Sequence, residues 1–169
     1  RARALLKKGG ILAVKGLGGF HLACLAEDEK LVRELRRRKQ RDEKPFALMC
    51  RDMAAVKKLC QVSKGEEKAL LSHKRPIVLL KKREKGSLSH VSENAYVGVM
   101  LPYTPLHYLL MGEDLDALIM TSANLSDCPI IFKNVEAVEK LTGIADGFLL
   151  NNREIQSRCD DSLIWVLNG

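Results

Sequence analysis

The sequence lacks most of the pieces that would advertise a familiar chemistry. Its five cysteines (Cys24, Cys50, Cys60, Cys128 and Cys159) are odd in number and form no CxxC pair. That speaks against a disulfide framework or zinc site and for a reduced, cytoplasmic setting with mostly buried thiols. Only Cys128 and Cys159 lie outside apolar surroundings. No run approaches the roughly 18 apolar residues of a spanning helix, and no signal peptide is present, so no membrane partner is expected. Aromatic residues make up only 5% and do not interleave the basic stretch, so a stacking platform for single-stranded nucleic acid is poorly supported. There is no GxxxxGK[ST] loop, no GxGxxG and no GxSxG. No His, Cys and Asp cluster falls at metal-ligand spacing, so no protein metal site is expected. The chain opens on Arg1-Ala2-Arg3 without a Met, and is read as a domain from a longer protein.

What is present is a soluble globular composition, 46% apolar and 29% charged over 169 residues, enough for one domain over 1–169 with a real core. The net charge of +7 favours anionic partners: nucleotides, phosphorylated metabolites or nucleic acid. The charge concentrates in Arg36-Arg37-Arg38-Lys39-Gln40-Arg41-Asp42-Glu43-Lys44-Pro45-Phe46-Ala47. Eight basic residues face three acidic ones between Lys30 and Lys44. One reading is a solvated helix face whose cations complement the helix dipole. The other is a polyanion site, for which fixed charge and forked donors are required.

Along the chain, a helix over 2–8 ends at Gly9-Gly10. Apolar runs then read as strands at 11–14, 20–25, 46–50, 75–80, 97–101, 118–120, 148–150 and 163–167. Between them, Asp28 caps a helix to about Lys39, with Leu31, Val32 and Leu35 on one face. Asp52 begins a helix with Val56, Leu59 and Cys60 inward. Ser63-Lys64-Gly65-Glu66 reads as a capping box for a helix through Leu71. Pro105 suits the first turn of a helix to Met111. Asn134 is expected to cap a helix over Val135, Val138 and Leu141, closed by Gly143. Lys82 to Asn94, which includes Gly86, is a polar loop. About eight strands and five or six helices alternate, so the fold class is α/β with one large mixed sheet. Lys15-Gly16-Leu17-Gly18-Gly19 allows either a close backbone approach to a ligand or a tight turn with positive φ. His21 alternates away from Phe20 and Leu22 and is either a ligand or a structural histidine.

Polar residues recur where apolar strands end or begin: Lys15, Ser122, Asn124, Arg153 and Arg75. Ligands of open α/β sheets sit outside strand ends, and Lys, Arg, Ser and Asn there suit an oxyanion or phosphate. A loop of Asx turns explains Ser122-Ala123-Asn124 equally well.

Taken together, these blocks resemble a known family. Lys39-x-Arg41-x-x-Lys44-Pro45-Phe46-Ala47 and Thr121-Ser122-Ala123-Asn124 are similar to the signatures of YrdC-like domains. Val14 to Cys24, Arg75 to Leu80, Gly98 to His107 and the Asn152-Arg153-x-Ile155-x-x-Arg158-x-Asp160-Asp161-Ser162 block resemble the YrdC-like domain of HypF carbamoyltransferases, which serve [NiFe]-hydrogenase maturation. Leu25, Asn151 and Cys128 depart from that pattern, which has an acidic residue, His and Glu there.

The resemblance implies a YrdC-like fold: a single large twisted mixed sheet flanked by helices around a basic cavity. It implies binding of ATP, with Mg²⁺ carried by the nucleotide, and formation of carbamoyl-adenylate from a carbamoyl phosphate-derived carbamoyl group or carbamate. Lys39, Arg41 and Lys44 would hold the triphosphate and carbamate, helped by Arg75. Ser122 and Asn124 would orient phosphates or carbamoyl oxygens. Arg153 and Arg158 would close over the nucleotide. Lys15, His21 and Thr104 would line the carbamoyl end. Implied partners are an acylphosphatase domain, a zinc-finger segment, a second carbamoyl-transfer domain and the acceptor HypE. Two rival readings remain open: a threonylcarbamoyl-adenylate synthase serving tRNA modification, and a non-catalytic double-stranded RNA-binding module.

Overall fold

A computed structural model describes residues 1–41, 44–84, 88–124 and 128–167. Asp42 and Glu43 of the basic stretch, Gly86 of the polar loop and the terminal Asn168-Gly169 lie outside the described residues. In chain order the elements are α1 (Ala2–Lys7), β1 (Leu12–Lys15), β2 (Phe20–Leu25), α2 (Glu29–Lys39), β3 (Ala47–Cys50), α3 (Met53–Leu59), α4 (Lys64–Leu71), β4 (Ile77–Lys81), β5 (Tyr96–Met100), α5 (Pro105–Met111), β6 (Ala117–Ser122), α6 (Asn134–Leu141), β7 (Gly147–Leu149) and β8 (Leu163–Ile164). Every strand and helix expected from the sequence is present within a few residues of its expected bounds. The strands hydrogen-bond in the order β7-β1-β2-β6-β3-β5-β4-β8, parallel and antiparallel pairs mixed. Among the described residues no helix is long and apolar enough to cross a membrane.

Two compact units divide the chain: Arg1–Glu43 with Met120–Asp160, and Lys44–Ile119 with Asp161–Gly169. In the first, α1 ends as the glycine pair foretold. Gly9, at φ +81°, donates to Leu6 O, and Gly10 donates to Leu5 O, the paired bonds of a Schellman turn. β1 pairs antiparallel with β2 and parallel with β7. Residues Phe20 to Cys24 of β2 are all buried, so the strand is covered on both faces. His21 therefore points to the opposite face from Phe20 and Leu22, as expected, but that face is covered too and the side chain is buried.

In the β1–β2 turn the glycines make room for other parts of the chain rather than for a left-handed turn. None of Gly16, Gly18 and Gly19 has positive φ. A Cβ at Gly18 would stand 2.2 Å from Cys159 O, a backbone atom that cannot swing aside. Gly18→Ala is expected to push the Cys159 segment away, lower stability by about 1–3 kcal/mol and expose the chain after Arg158 to trypsin. Denaturant unfolding and limited proteolysis check this.

α2 is capped by Asp28, whose side chain accepts from Leu31 N, and buries Leu31, Val32 and Leu35. α6 departs from expectation. Lys133 is its N-cap and no side chain caps it; Asn134 is already helical and donates to Asn151 O instead. Ala137 and Leu141 are the buried residues, while Val135 is 70% and Val138 41% exposed. Two valines at i and i+3 looked like a core face, but the small Ala137 fits the closer contact. Gly143 does not close the helix through a left-handed turn; Ile144 N and Ala145 N bond to Leu141 O.

In the second unit β3 pairs parallel with β5, and β4 pairs antiparallel with β5 and parallel with β8. Asp52 caps α3 through Ala55 N, and Ser63 and Glu66 form the expected capping box of α4. The last strand is shorter than expected. Only Leu163 and Ile164 pair, at the sheet edge, and Trp165 instead meets the Tyr96 ring edge-on at 5.7 Å.

Candidate anion-binding site

The basic stretch separates into two groups. Arg33, Arg37 and Arg38 form ion pairs with Glu29, Glu34 and Asp146 on the surface of α2 and beyond its end. The Glu34 carboxyl, bonded by Arg37 and Arg38, is pulled down to about 2. For these residues the solvated-face reading is correct. Lys39 and Arg41 behave differently because of how the helix ends. Gln40 adopts the left-handed conformation at φ 51°, Gln40 N bonds to Arg37 O and Arg41 N to Arg36 O. This is again a Schellman turn, here without glycine, at a cost of about 1–2 kcal/mol. It reverses the chain so that Lys39 and Arg41 both address the end of β6.

Lys39 continues the buried stripe of Val32 and Leu35 at helical spacing and is 7% exposed. Its Nζ donates to Ser122 O (2.8 Å), Asn124 O (3.1 Å) and Asn124 Oδ1 (2.9 Å). Arg41 Nη1 donates to Thr121 Oγ1 at 3.3 Å. Ser122 Oγ donates to Asn124 Oδ1 at 3.0 Å, and Asn124 Nδ2 donates to Cys128 O at 3.0 Å. The backbone between is fixed: Ala123 N donates to Phe20 O and Ala123 O accepts from Ile131 N. Lys39, Arg41, Ser122 and Asn124 thus come together, with Thr121, which the sequence reading placed in the signature but gave no role. Thr121 follows the apolar run Leu118–Met120 directly, and that position is the signal that could have found it.

Positive charge is concentrated here. Burial, then the Arg41 guanidinium, lowers Lys39 to about 8. Burial, then Arg36, lowers Arg41 as well. The three oxygens on Lys39 Nζ oppose its shift and favour the ammonium. For stability the sign is definite. Between about 8 and the ordinary 10.5 the unfolded chain binds the Lys39 proton and the folded one does not, so this lysine adds stability as pH rises through that window. Cys24 (raised to about 12), Cys60 (about 11) and Cys50 (also raised), each chiefly by burial, oppose it above the ordinary 9.0, where only the unfolded thiols ionise. Three thiols outweigh one lysine, so unfolding free energy is expected to fall from pH 9 to 10.5. Urea melts across that range, repeated with Cys24→Ala to flatten the slope, check it.

The remaining residues of the first unit form a second group. Lys15, 5% exposed, donates through Nζ to Asn151 O (3.2 Å) and Arg153 O (2.7 Å). Arg153 N bonds to Asn151 Oδ1, an Asx turn, which leaves the Arg153 side chain exposed. Arg158 lies over the Phe132 ring at 5.9 Å, a partner not anticipated from sequence. His21 Nδ1 would be 3.1 Å from a Cβ at Gly16, so that glycine makes room for the imidazole.

Three predicted residues belong to the second unit. Lys44 is exposed. Arg75 has φ 43°, unusual for a side-chain-bearing residue before proline, and its Nη1 reaches Leu70 O at 3.3 Å. Thr104 is buried and caps α5, its Oγ1 accepting from His107 N at 3.1 Å. Beside it, Tyr103 meets the His107 ring edge-on, and burial followed by Asp161 raises its hydroxyl above the usual range.

Cations, hydroxyls and amides gathered this way suit phosphate or carboxylate oxygens. Among the described residues no three His, Cys, Asp or Glu cluster as a metal site. The chain is similar to several known proteins. Carbamoyltransferase HypF2 of Cupriavidus necator is 47% identical over 95% of the chain, and carbamoyltransferase HypF of Rhodobacter capsulatus 48% over 98%. The chain spans 22% of the length of each. A crystal structure of full-length HypF in the phosphate- and nucleotide-bound form superposes with a TM-score of 0.92 and 54% identity, over 96% of this chain and 26% of that one. The family model for Sua5, YciO and YrdC proteins, described as "Telomere recombination", matches residues 4–169. With its mixed eight-stranded sheet and a match running almost end to end, the chain belongs to the Sua5/YciO/YrdC family.

Proposed function

We propose that this chain is the adenylate-forming part of a HypF-type carbamoyltransferase and makes carbamoyl-adenylate from ATP and a carbamoyl group derived from carbamoyl phosphate. The observation that carries the reading is the half-buried Arg41 guanidinium beside the Lys39 ammonium, with Ser122 and Asn124 fixed by Lys39 at the end of β6. Similarity to HypF carbamoyltransferases over nearly the whole chain supports it.

In this reading a carbamate oxygen attacks the α-phosphorus of ATP. A carbon–oxygen–phosphorus bridge forms, the bond to the β-phosphate breaks, and pyrophosphate leaves. Charge grows on phosphate oxygens, so placement and neutralisation supply the catalysis and no side-chain nucleophile is needed. Arg41 offers a planar fork for those oxygens. Lys39 acts mainly by holding Ser122 and Asn124, since its three protons face three oxygens. Within the first unit Arg153 and Arg158 would add cationic donors and Lys15 and His21 would belong to the carbamoyl end; for Lys44, Arg75 and Thr104 of the second unit only the family resemblance supports a role toward triphosphate or carbamoyl group. Mg²⁺ arriving with the nucleotide would be held by phosphates and water. The carbamoyl group would pass to a second transfer domain and on to a cysteine of HypE, with acylphosphatase and zinc-finger segments elsewhere in the longer polypeptide and the whole acting in the cytoplasm.

ATP–pyrophosphate exchange tests this. Exchange is expected with carbamate or carbamoyl phosphate and not with threonine plus bicarbonate. Exchange only with threonine and bicarbonate overturns it in favour of a threonylcarbamoyl-adenylate synthase. Absence of nucleotide binding, with RNA affinity that falls steeply with salt, overturns it in favour of a double-stranded RNA-binding module.

A further inference from the structure

Lys82 has no part in the site described above, yet it is a lysine only 7% exposed. Its backbone is pinned on both sides. Lys82 pairs with Cys60 in an isolated bridge, Lys82 N donates to Ala95 O, and Arg83 N donates to Leu59 O. The side chain then runs inward and Nζ donates to Ser92 O at 2.9 Å. Ser92 is itself 1% exposed, and its Oγ donates to Tyr96 O at 2.8 Å. Ser92 closes a tight turn in which Leu88, at φ 54°, accepts from both Val91 N and Ser92 N at 3.0 Å. Within this turn Val91, fully buried, accepts from Phe46 N at 3.0 Å.

That last bond matters because of what precedes it. Pro45 has no N–H, so Phe46 carries the first backbone donor after Lys44. Packing alone would be served better by Met or Leu at position 82, because burying an ammonium is costly. What the charge supplies is a strong hydrogen bond to one carbonyl, and that carbonyl belongs to the turn that fixes Phe46.

We infer that Lys82 is a positioning residue for Lys44: its ammonium sets the 88–92 turn, and the Val91 carbonyl then fixes Phe46 and the direction in which the chain presents Lys44. The inference rests on the reading of Lys44 as a phosphate ligand, and its test has one arm independent of that reading. In Lys82→Met, which keeps the apolar stem, hydrogen exchange at the Phe46 amide is expected to rise about tenfold or more while the thermal midpoint falls by no more than a few degrees, because a single acceptor loses its donor and a buried ammonium is no longer required. ATP–pyrophosphate exchange should drop by up to about 10²-fold, expressed largely in the KM for ATP. Lys82→Arg should restore both, and Lys82→Met should add nothing in a Lys44→Ala background. Unchanged exchange at Phe46 overturns the inference. So does exchange that rises uniformly across the chain with a midpoint lowered by about ten degrees or more, or an equal loss of activity in the Lys44→Ala background. If the unaltered chain shows no nucleotide-dependent activity, the adenylation reading fails separately and the Phe46 amide alone decides the role of Lys82.

Discussion

Arg41→Ala should reduce carbamoyl-dependent ATP–pyrophosphate exchange about 10²–10³-fold, the cost of removing one oxyanion donor. The fold should survive it. Arg41 follows the end of α2, is half-buried, and bonds to Thr121 Oγ1 at a long 3.3 Å. Thermal denaturation should therefore shift by only a few degrees. Lys44→Ala should lose activity by a similar factor if Lys44 is a phosphate ligand, and as an exposed residue it should leave the fold intact. Retained exchange in both variants, with folding intact, would place the chemistry elsewhere.

Lys39→Met should affect both stability and activity. The substitution keeps the length of the side chain but leaves Ser122 O, Asn124 O and Asn124 Oδ1 without their shared donor. Buried acceptors stripped of a partner cost about 1–3 kcal/mol, offset in part because a buried ammonium is no longer required. For a chain of this size about 1 kcal/mol moves the midpoint by roughly 2–4 °C. A midpoint several degrees lower, with activity at least as low as in Arg41→Ala, is the expected result of scanning calorimetry beside the exchange assay. Loss of activity without any loss of stability would instead make Lys39 a direct ligand of the substrate.

The contrast between these two neighbours shows how far local sequence reaches. The burial of Lys39 could have been read from the helix wheel, because it stands four residues after Leu35 and seven after Val32 on the stripe that α2 buries. A lysine on an apolar stripe is a candidate for a buried ammonium. Its acceptors, however, lie 83 and 85 positions along the chain, and no local pattern names them. Likewise the glycines at 16, 18 and 19 allowed either a close approach or a tight turn with positive φ. Only the folded chain shows that the close neighbours include Cys159 O and the side chains of Ile130 and His21.

By itself the sequence determined the strands and helices and the caps at Asp28, Asp52 and Ser63. These follow from periodicity, capping chemistry and chain reversal, all of which act over a few residues. Tertiary structure decided the rest: which arginines of the basic stretch are mere surface ion pairs, why Val135 and Val138 of α6 face solvent, and which oxygens receive Lys39. Each depends on groups brought close by the sheet from far along the chain, where packing space and hydrogen-bond partners, not local propensity, set the outcome.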